Sequence, residues 1–333
     1  MYCSSSDARA NALLQWLIAD LGLKIQTIEP ASSDASFRRY FRINHAGGCH
    51  IAMDAPPDKE NVAPFIRNAA LLQHLEIHVP RIFHQNLEQG FLLLEDLGCQ
   101  CYLDCLDEDN ADVLYQSALD SLFKLQSQTD MHACQLPEYD QVLLLRELQI
   151  FYDWFLERRM DVVLPVSIKQ ELEECLISSA LEQPRVYVHR DFHSRNLMLL
   201  NDNSPGVIDF QDAVIGPISY DLVSLLRDCY IRWPELRIHE WVSRYYQRLL
   251  QAELIDVGFV QFKRWFDLMG LQRHLKAVGI FSRLHLRDDK PGYLADIPRT
   301  MGYIADVCKA YPELSSFNAF LQHQVLPIYQ AKL

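Results

Sequence analysis

The sequence lacks any segment that could cross a membrane, because no stretch approaches the roughly 18 consecutive apolar residues that a spanning helix needs. Residues 1–20 also lack a basic start followed by an uninterrupted apolar core, which is the pattern of a secretory signal. Internal repeats, low-complexity tracts and long linkers are missing as well. These absences predict a cytoplasmic protein with no membrane partner, and nothing in the sequence indicates an obligate protein partner.

Positive charge is scarce, since 31 Lys and Arg residues stand against 44 Asp and Glu residues and the formal net charge is −13. A chain this acidic would be repelled by the phosphates of nucleic acid, which excludes nucleic acid as an expected partner. An acidic surface can attract polycationic aminoglycosides, although solubility is the explanation that we favour. We therefore expect a small-molecule substrate.

The remaining composition is that of an ordinary globular protein. Hydrophobic residues make up 49% and charged residues 23% of the 333 positions, which suffices for a two-lobed enzyme with a sizeable core. Cys99, Cys101 and Cys105 form a C-x-C-x3-C cluster that matches no zinc spacing, so we expect reduced thiols there.

The most informative stretch is VYVHRDFHSRNLMLLNDNSPGVIDF, at residues 186–210. It reads as strand, loop, strand, turn and strand, with NDNSPG as a dense turn signal. His189, Asp191, Asn196 and Asp209 therefore stand in loops or at strand ends, beside short apolar strands.

This spacing suits phosphoryl transfer, which needs a carboxylate to accept the proton of the attacking hydroxyl and oxygen ligands to hold Mg²⁺ against the phosphates. An H-x-D-x4-N segment followed by an apolar-D-F segment supplies these parts. We expect Asp191 to be the catalytic base, Asn196 and Asp209 to be metal ligands, and His189 to brace the loop. An isolated Asp-Phe pair would fit a turn-rich core segment equally well, but the ordered set favours the catalytic interpretation.

The segments HRDFHSRN and GVIDFQDAVIGPISYDL resemble the aminoglycoside phosphotransferase-like kinases, which are relatives of the protein kinases. SSDASFRRYFR, FLLLEDLG and HLKAVGIFSRL extend the resemblance over nearly the whole chain, and the pattern is most similar to the bacterial anomeric kinases for N-acetylmuramate and N-acetylglucosamine. The resemblance implies an ATP- and Mg²⁺-dependent kinase of peptidoglycan recycling. It also implies a protein-kinase-like two-lobed α+β fold, with a small β-rich lobe over residues 1–97 and a larger, mostly helical lobe over residues 98–333.

In this family, ATP binds between the lobes, and the resemblance implies which residues contact it. The loop over the phosphates falls on SSDASFRRYF, where Ser33 and Ser36 permit close backbone approach. The hinge falls on EDLG, so Glu95 and Leu97 would border the adenine through their backbone groups. A polar hairpin and a strand ending in a turn are the plain structural alternatives.

The third strand, CHIAM, lacks the lysine that kinases use to pair with the phosphates. Arg39, Arg42 or Lys59 are the predicted replacements, and we favour Arg39 or Arg42 because they follow the small residues of the phosphate loop. The same departure keeps open a protein of another class, a catalytically silent nucleotide-binding scaffold. The intact set of Asp191, Asn196 and Asp209 argues against that alternative.

The acceptor residues are predicted only by the resemblance. It places Asp212 and the helix at residues 262–284 near the acceptor, where Arg273 or Lys276 would reach a substrate carboxylate. A run of charges on a helix is more often a solvated face. Asp221, which opens a helix predicted over residues 221–232, would anchor the catalytic loop or simply cap that helix. Aminoglycoside, choline and homoserine remain alternative acceptors.

Overall fold

The computed structural model describes residues 7–32, 37–131, 134–201 and 204–332 of the chain. Its strands are β1 Ile25–Ser32, β2 Arg39–His45, β3 Gly48–Asp54, β4 Ile82–Asn86, β5 Phe91–Glu95, β6 Arg185–Val188, β7 Leu197–Leu199, β8 Pro205–Val207 and β9 Val214–Pro217. Its α-helices are α1 Ala8–Gln15, α2 Ala63–His74, α3 Tyr102–Cys105, α4 Ala111–Gln128, α5 Gln141–Ile150, α6 Val166–Leu181, α7 Tyr220–Leu226, α8 Glu235–Gln251, α9 Phe259–Asp288, α10 Ile297–Ala310, α11 Ser315–Phe320 and α12 Leu326–Ala331. Within these ranges, no helix is both long and apolar enough to span a membrane.

The chain divides into two compact units. The sheet unit comprises Met1–Cys105 together with Leu197–Asp212, and the helical unit comprises Leu106–Asn196 together with Ala213–Leu333. This organisation confirms the predicted α+β class, with an antiparallel sheet near the N-terminus and a mostly helical remainder. The lobe boundary at residue 97 stays a prediction, and the structure assigns residues 98–105 and 197–212 to the sheet unit.

The sheet unit is built on a five-stranded antiparallel sheet in the order β1-β2-β3-β5-β4. Successive side chains of a strand point to opposite faces, so Phe41 and Ile43 face the same side. That side is covered by α1, whose Leu13 joins Ile43 and Ala52 in one apolar cluster. Arg39 therefore lies on the α1 face of the sheet, whereas Arg42 lies on the opposite face.

The helical unit is organised around α9, which has 30 residues and is apolar or buried on most of its circumference. Leu271, Leu275 and Val278 lie in an apolar cluster together with Phe151, which follows α5. A Cβ on Gly279 would lie 2.7 Å from backbone atoms of the residues at the end of α5, so glycine permits the close approach of these helices.

Strand β6 pairs with β9 and delivers the chain to the loop at residues 189–196. The helix predicted over residues 221–232 is wrong in its length, because α7 ends at Leu226. Arg227 has φ −119° and ψ 53°, which is not helical. Asp228 then accepts hydrogen bonds from the backbone N–H of Ser194, at 2.9 Å, and from its hydroxyl. This contact with the loop at residues 189–196 takes the place of a further helical turn.

Candidate active site

The loop at residues 189–196 is held by a carboxylate from α7. The backbone N–H groups of His189 and Arg190 donate to Asp221 at 2.6 and 3.0 Å, which confirms the anchoring role predicted for Asp221. Burial raises the pKa of Asp221 to about 7 despite these two hydrogen bonds. Arg190 has φ +77°, so the loop turns sharply at this residue. The buried ring of His189 accepts from the N–H of Asp191 through Nδ1 at 3.2 Å, in the bracing position expected for it.

Asp191 lies at a cavity of about 110 Å³ that is formed within the helical unit. Polar and aromatic side chains share its wall, among them Asp191, Tyr220, Tyr230, Arg273, Lys276 and Phe281. The structure thus brings the predicted base together with both predicted acceptor cations. The charge run on α9 is therefore not a solvated face, because Arg273 is only 6% exposed and Lys276 only 9%.

The charges around Asp191 decide its protonation state. Burial alone would raise its pKa, but the electrostatic effects of Lys276, His193 and Arg273 outweigh burial and lower the pKa to about 2. The carboxylate is therefore ionised throughout the neutral range, and it can accept a hydrogen bond or a proton from a hydroxyl in the cavity.

Lys276 is paired with a carboxylate that was not predicted from the sequence. Its Nζ lies 2.8 Å from Oε1 of Glu147 and 3.4 Å from the hydroxyl of Tyr220. Glu147, on α5, is 2% exposed and also accepts from Arg190 and from the hydroxyl of Tyr139. Burial raises the pKa of Glu147, but Lys276 and Arg190 together lower it below its ordinary value. Glu147 thus neutralises two cations beside Asp191.

Arg273 differs from Lys276 in its surroundings. Among the described residues, no carboxylate lies within ion-pair distance of its guanidinium, which donates only a long contact of 3.8 Å to Sγ of Cys229. Burial would lower the pKa of Arg273, but Cys229, Tyr220 and Asp191 raise it. The group is therefore a buried cation that faces the cavity.

The predicted metal ligands supply oxygen atoms of the kind that Mg²⁺ prefers. Nδ2 of Asn196 donates to the carbonyl oxygen of Asp191 at 3.0 Å, which directs its amide oxygen to the other side. Asp209 has φ +64° and accepts from Nε2 of Gln211 at 2.6 Å. In the part of the chain that is described, no group of three or more His, Cys, Asp or Glu could hold a metal. Each side chain offers an oxygen atom of the kind that Mg²⁺ prefers, and the assignment of Asn196 and Asp209 to the metal stays a prediction.

The two predicted phosphate cations are both engaged in ion pairs within the sheet unit. Arg39 donates to the buried carboxylate of Asp54, at 3.0 Å from Nε. Arg42 donates to both oxygens of Asp96, at 2.7 and 2.9 Å, and to the carbonyl oxygen of Gly98. Because the two arginines point to opposite faces of the sheet, they cannot meet one nucleotide from the same side.

The other residues predicted to bind substrates are only partly described. Ser33 and Ser36 lie outside the described residues. Glu95 contacts Nε2 of His78 at 3.2 Å, and the side chain of Leu97 packs against β8. Asp212 is exposed and accepts from Gln211 at 3.3 Å. The roles of these residues stay predictions.

Sequence reasoning missed Glu147 and His193. Glu147 stands three residues after Leu144 and one before Leu148, so a charge on the apolar face of α5 was the available signal. His193 repeats the histidine of the H-x-D motif two residues after Asp191. It lines the cavity, and its buried Nδ1 has no hydrogen-bond partner among the described residues.

Comparison with known proteins places these features in one family. Residues 27–257 match the profile described as "Phosphotransferase enzyme family". The N-acetylmuramate/N-acetylglucosamine kinase of Pseudomonas aeruginosa is 46% identical over 331 residues, covering 95% of this chain and 97% of the relative. The kinase of the same name from Pseudomonas putida is 44% identical over 329 residues, covering 95% and 96%.

A solved structure shows the fold independently of close sequence similarity. The GDP complex of aminoglycoside 2'-phosphotransferase-IIIa superposes with a TM-score of 0.63 at 15% identity. The alignment covers 90% of this chain and 99% of that chain. The likeness confirms the kinase-like fold that was predicted, and at this identity it carries no statement about substrate.

Proposed function

The chain belongs to the phosphotransferase enzyme family, and from this premise we propose that it transfers the γ-phosphoryl group of ATP to the anomeric hydroxyl of N-acetylmuramate or N-acetylglucosamine. Relatives that are 44–46% identical over 95% of the chain are named as kinases of these two sugars. The observation that carries the proposal is the cavity in which ionised Asp191 faces two cations and the three aromatic rings of Tyr220, Tyr230 and Phe281. Because the donor is ATP, the proposal retains the cytoplasmic location predicted from the sequence.

The charge of this cavity supports a neutral or anionic acceptor. Aminoglycosides and choline are cations, and they would meet the buried guanidinium of Arg273, which has no carboxylate within ion-pair distance among the described residues. A sugar ring instead presents apolar C–H faces to Tyr230 and Phe281 and hydroxyl groups to the polar wall, which is the usual composition of a small-molecule site. Homoserine has no ring to use this aromatic wall, so an amino sugar is the better fit.

In the proposed reaction, Asp191 accepts the hydrogen bond of the anomeric hydroxyl and takes its proton as the hydroxyl oxygen bonds to the γ-phosphorus. The bond from that phosphorus to the bridging oxygen breaks, and ADP leaves. An anomeric hydroxyl is more acidic than an ordinary alcohol, and phosphoryl transfer depends mostly on positioning and charge stabilisation. The ionised carboxylate of Asp191 therefore needs to position the hydroxyl more than to act as a strong base.

The proposal assigns Asn196 and Asp209 to Mg²⁺, which when bound neutralises negative charge on the phosphates of ATP. Asn196 has a second part in the proposal, since its amide fixes the backbone carbonyl of Asp191. Asp221 holds the preceding residues of the loop, so the base is positioned by groups that do not themselves react.

The test is ³¹P NMR of the products after incubation with ATP, Mg²⁺ and a panel of acceptors. N-Acetylmuramate and N-acetylglucosamine should each give a sugar 1-phosphate, whereas kanamycin, choline and homoserine should give no new phosphomonoester. The 1-O-methyl glycoside of N-acetylglucosamine is the matched control, because only its anomeric hydroxyl is blocked. Phosphorylation of this glycoside would reject the anomeric position, and turnover of choline or kanamycin instead of the sugars would reject the acceptor class.

A further inference from the structure

The geometry points to Arg273 as an acid subsite, which binds a carboxylate on the acceptor and so sets the preference for N-acetylmuramate over N-acetylglucosamine. This inference rests on the proposed function and adds to it the group that tells the two sugars apart. The sugars share the pyranose ring, the N-acetyl group and the anomeric hydroxyl. N-Acetylmuramate alone carries a lactyl ether with a carboxylate.

The first argument is the state of the guanidinium. Arg273 is 6% exposed, lines the same cavity as Asp191, and has no carboxylate within ion-pair distance among the residues in the described ranges. Its thiol contact with Cys229 is a weak one, since sulfur is a poor acceptor. Buried charges in proteins are normally paired, so this one is suited to a partner that arrives with the ligand.

The second argument is that Lys276, one turn further along α9, is already neutralised. Its Nζ lies 2.8 Å from Glu147 and 3.4 Å from the hydroxyl of Tyr220. A ligand carboxylate would have to compete with Glu147 for this ammonium group, and the negative charge of Glu147 would repel it. We therefore assign Arg273 to binding the acceptor carboxylate. Lys276 lines the same cavity but is paired with Glu147, so both sugars should depend on it equally.

The third argument concerns the shape of the two cations. The planar guanidinium offers parallel N–H groups that match the two oxygens of a carboxylate, whereas an ammonium group is a point charge. The fork of Arg273 can thus hold a lactyl carboxylate in one orientation and direct the ring towards Asp191. N-Acetylglucosamine has no carboxylate to bind the guanidinium. The difference in kcat/KM between the two sugars therefore measures the contribution of this subsite.

The experiment compares kcat/KM for the two sugars in the wild type and in Arg273→Met, Arg273→Lys and Lys276→Met. Arg273→Met should lower kcat/KM for N-acetylmuramate at least about tenfold more than for N-acetylglucosamine, as expected for loss of a charged hydrogen bond. Arg273→Lys keeps the positive charge but lacks the parallel N–H groups of the guanidinium, so it should recover part of the preference for N-acetylmuramate. Lys276→Met is the matched control from the same helix, and it should lower kcat/KM for both sugars by the same factor.

The results separate failure of this inference from failure of the proposed function. Equal losses for both sugars in Arg273→Met, with the wild type active on both, would overturn the subsite and leave the function standing. Calorimetry of N-acetylmuramate binding gives a readout that does not depend on turnover. If Arg273→Met binds this sugar as tightly as the wild type does, the subsite is overturned. A wild type that phosphorylates neither sugar would instead reject the function. Retained turnover of N-acetylglucosamine shows that a variant is folded.

Discussion

Replacement of Glu147 by Gln tests whether this carboxylate stabilises the protein by neutralising Lys276 and Arg190. Glu147 is 2% exposed and is shared by Lys276, at 2.8 Å, and Arg190. Glutamine has nearly the same shape but no charge, and its amide nitrogen cannot accept a hydrogen bond. Buried Lys276 and partly buried Arg190 would remain without their common partner.

The burial of these groups allows an estimate of how much the free energy of unfolding falls. Removing one partner of a buried ion pair destabilises a protein by about 3–5 kcal/mol, because the remaining charge is left uncompensated. Here one substitution leaves the buried charge of Lys276 and the partly buried charge of Arg190 uncompensated, so we expect a loss of about 3 kcal/mol in the free energy of unfolding. The assay is equilibrium urea denaturation, with the slope compared between variants to verify that each unfolds in one step.

Glu313→Gln provides the matched control. Glu313 also pairs with an arginine, Arg264, but their side chains are 38% and 31% exposed. Exposed pairs contribute about 0–1 kcal/mol, so this variant should remain close to the wild type. The double variant Glu147→Gln/Lys276→Met removes one stranded charge and should recover part of the loss. If Glu147→Gln is as stable as Glu313→Gln, the view of Glu147 as the centre of this charge cluster is wrong.

Four further outcomes are expected. Asp191→Asn should retain ATP binding by calorimetry but lower kcat by about 10²–10⁴-fold, and near-normal turnover would remove this residue as the base. Asp209→Ala should lose Mg²⁺-dependent nucleotide binding, so unchanged MgATP affinity would reduce Asp209 to a structural role. Only one of Arg39→Ala and Arg42→Ala should raise the KM for ATP, equally for both sugars, because the two side chains lie on opposite faces of the sheet; an unaltered KM in both would exclude them as phosphate ligands. Lys276→Met removes the largest charge that lowers the pKa of Asp191, so the acidic limb of kcat/KM should move to higher pH, and an unmoved limb would contradict this coupling.

The loop at residues 189–196 could be located from the sequence because its polar residues are close together. His189, Asp191 and Asn196 span eight residues between two apolar strands, so motif spacing alone predicts their roles, which stay predictions. The anchoring by Asp221 also followed, through the family resemblance. By contrast, Glu147 lies 43 residues before Arg190 and 129 before Lys276, and no local pattern connects them.

The burial of α9 shows that its charged residues are not exposed to solvent, a question that the periodicity of the sequence could not answer. A run containing Arg273, His274 and Lys276 reads as a solvated face when the helix is considered alone, yet all three are buried because α9 is enclosed by its neighbours. The end of α7 was missed for a similar reason, since the contact of Asp228 with Ser194 is tertiary. Strand alternation, which is local, could have separated Arg39 from Arg42 in advance.

The sheet unit is discontinuous along the chain, and this affects the order in which it can be completed during synthesis. Residues 197–212 emerge from the ribosome long after the first 105, yet Leu199 donates to the carbonyl oxygen of Gln100 at 2.9 Å and Val207 donates to that of His78 at 2.8 Å. A nascent chain that stops before residue 197 leaves these carbonyl groups without those donors. Domains usually fold as units while the chain is made. The sheet unit is therefore complete only after β7 and β8 have been synthesised, and the loop at residues 189–196 is synthesised just before them.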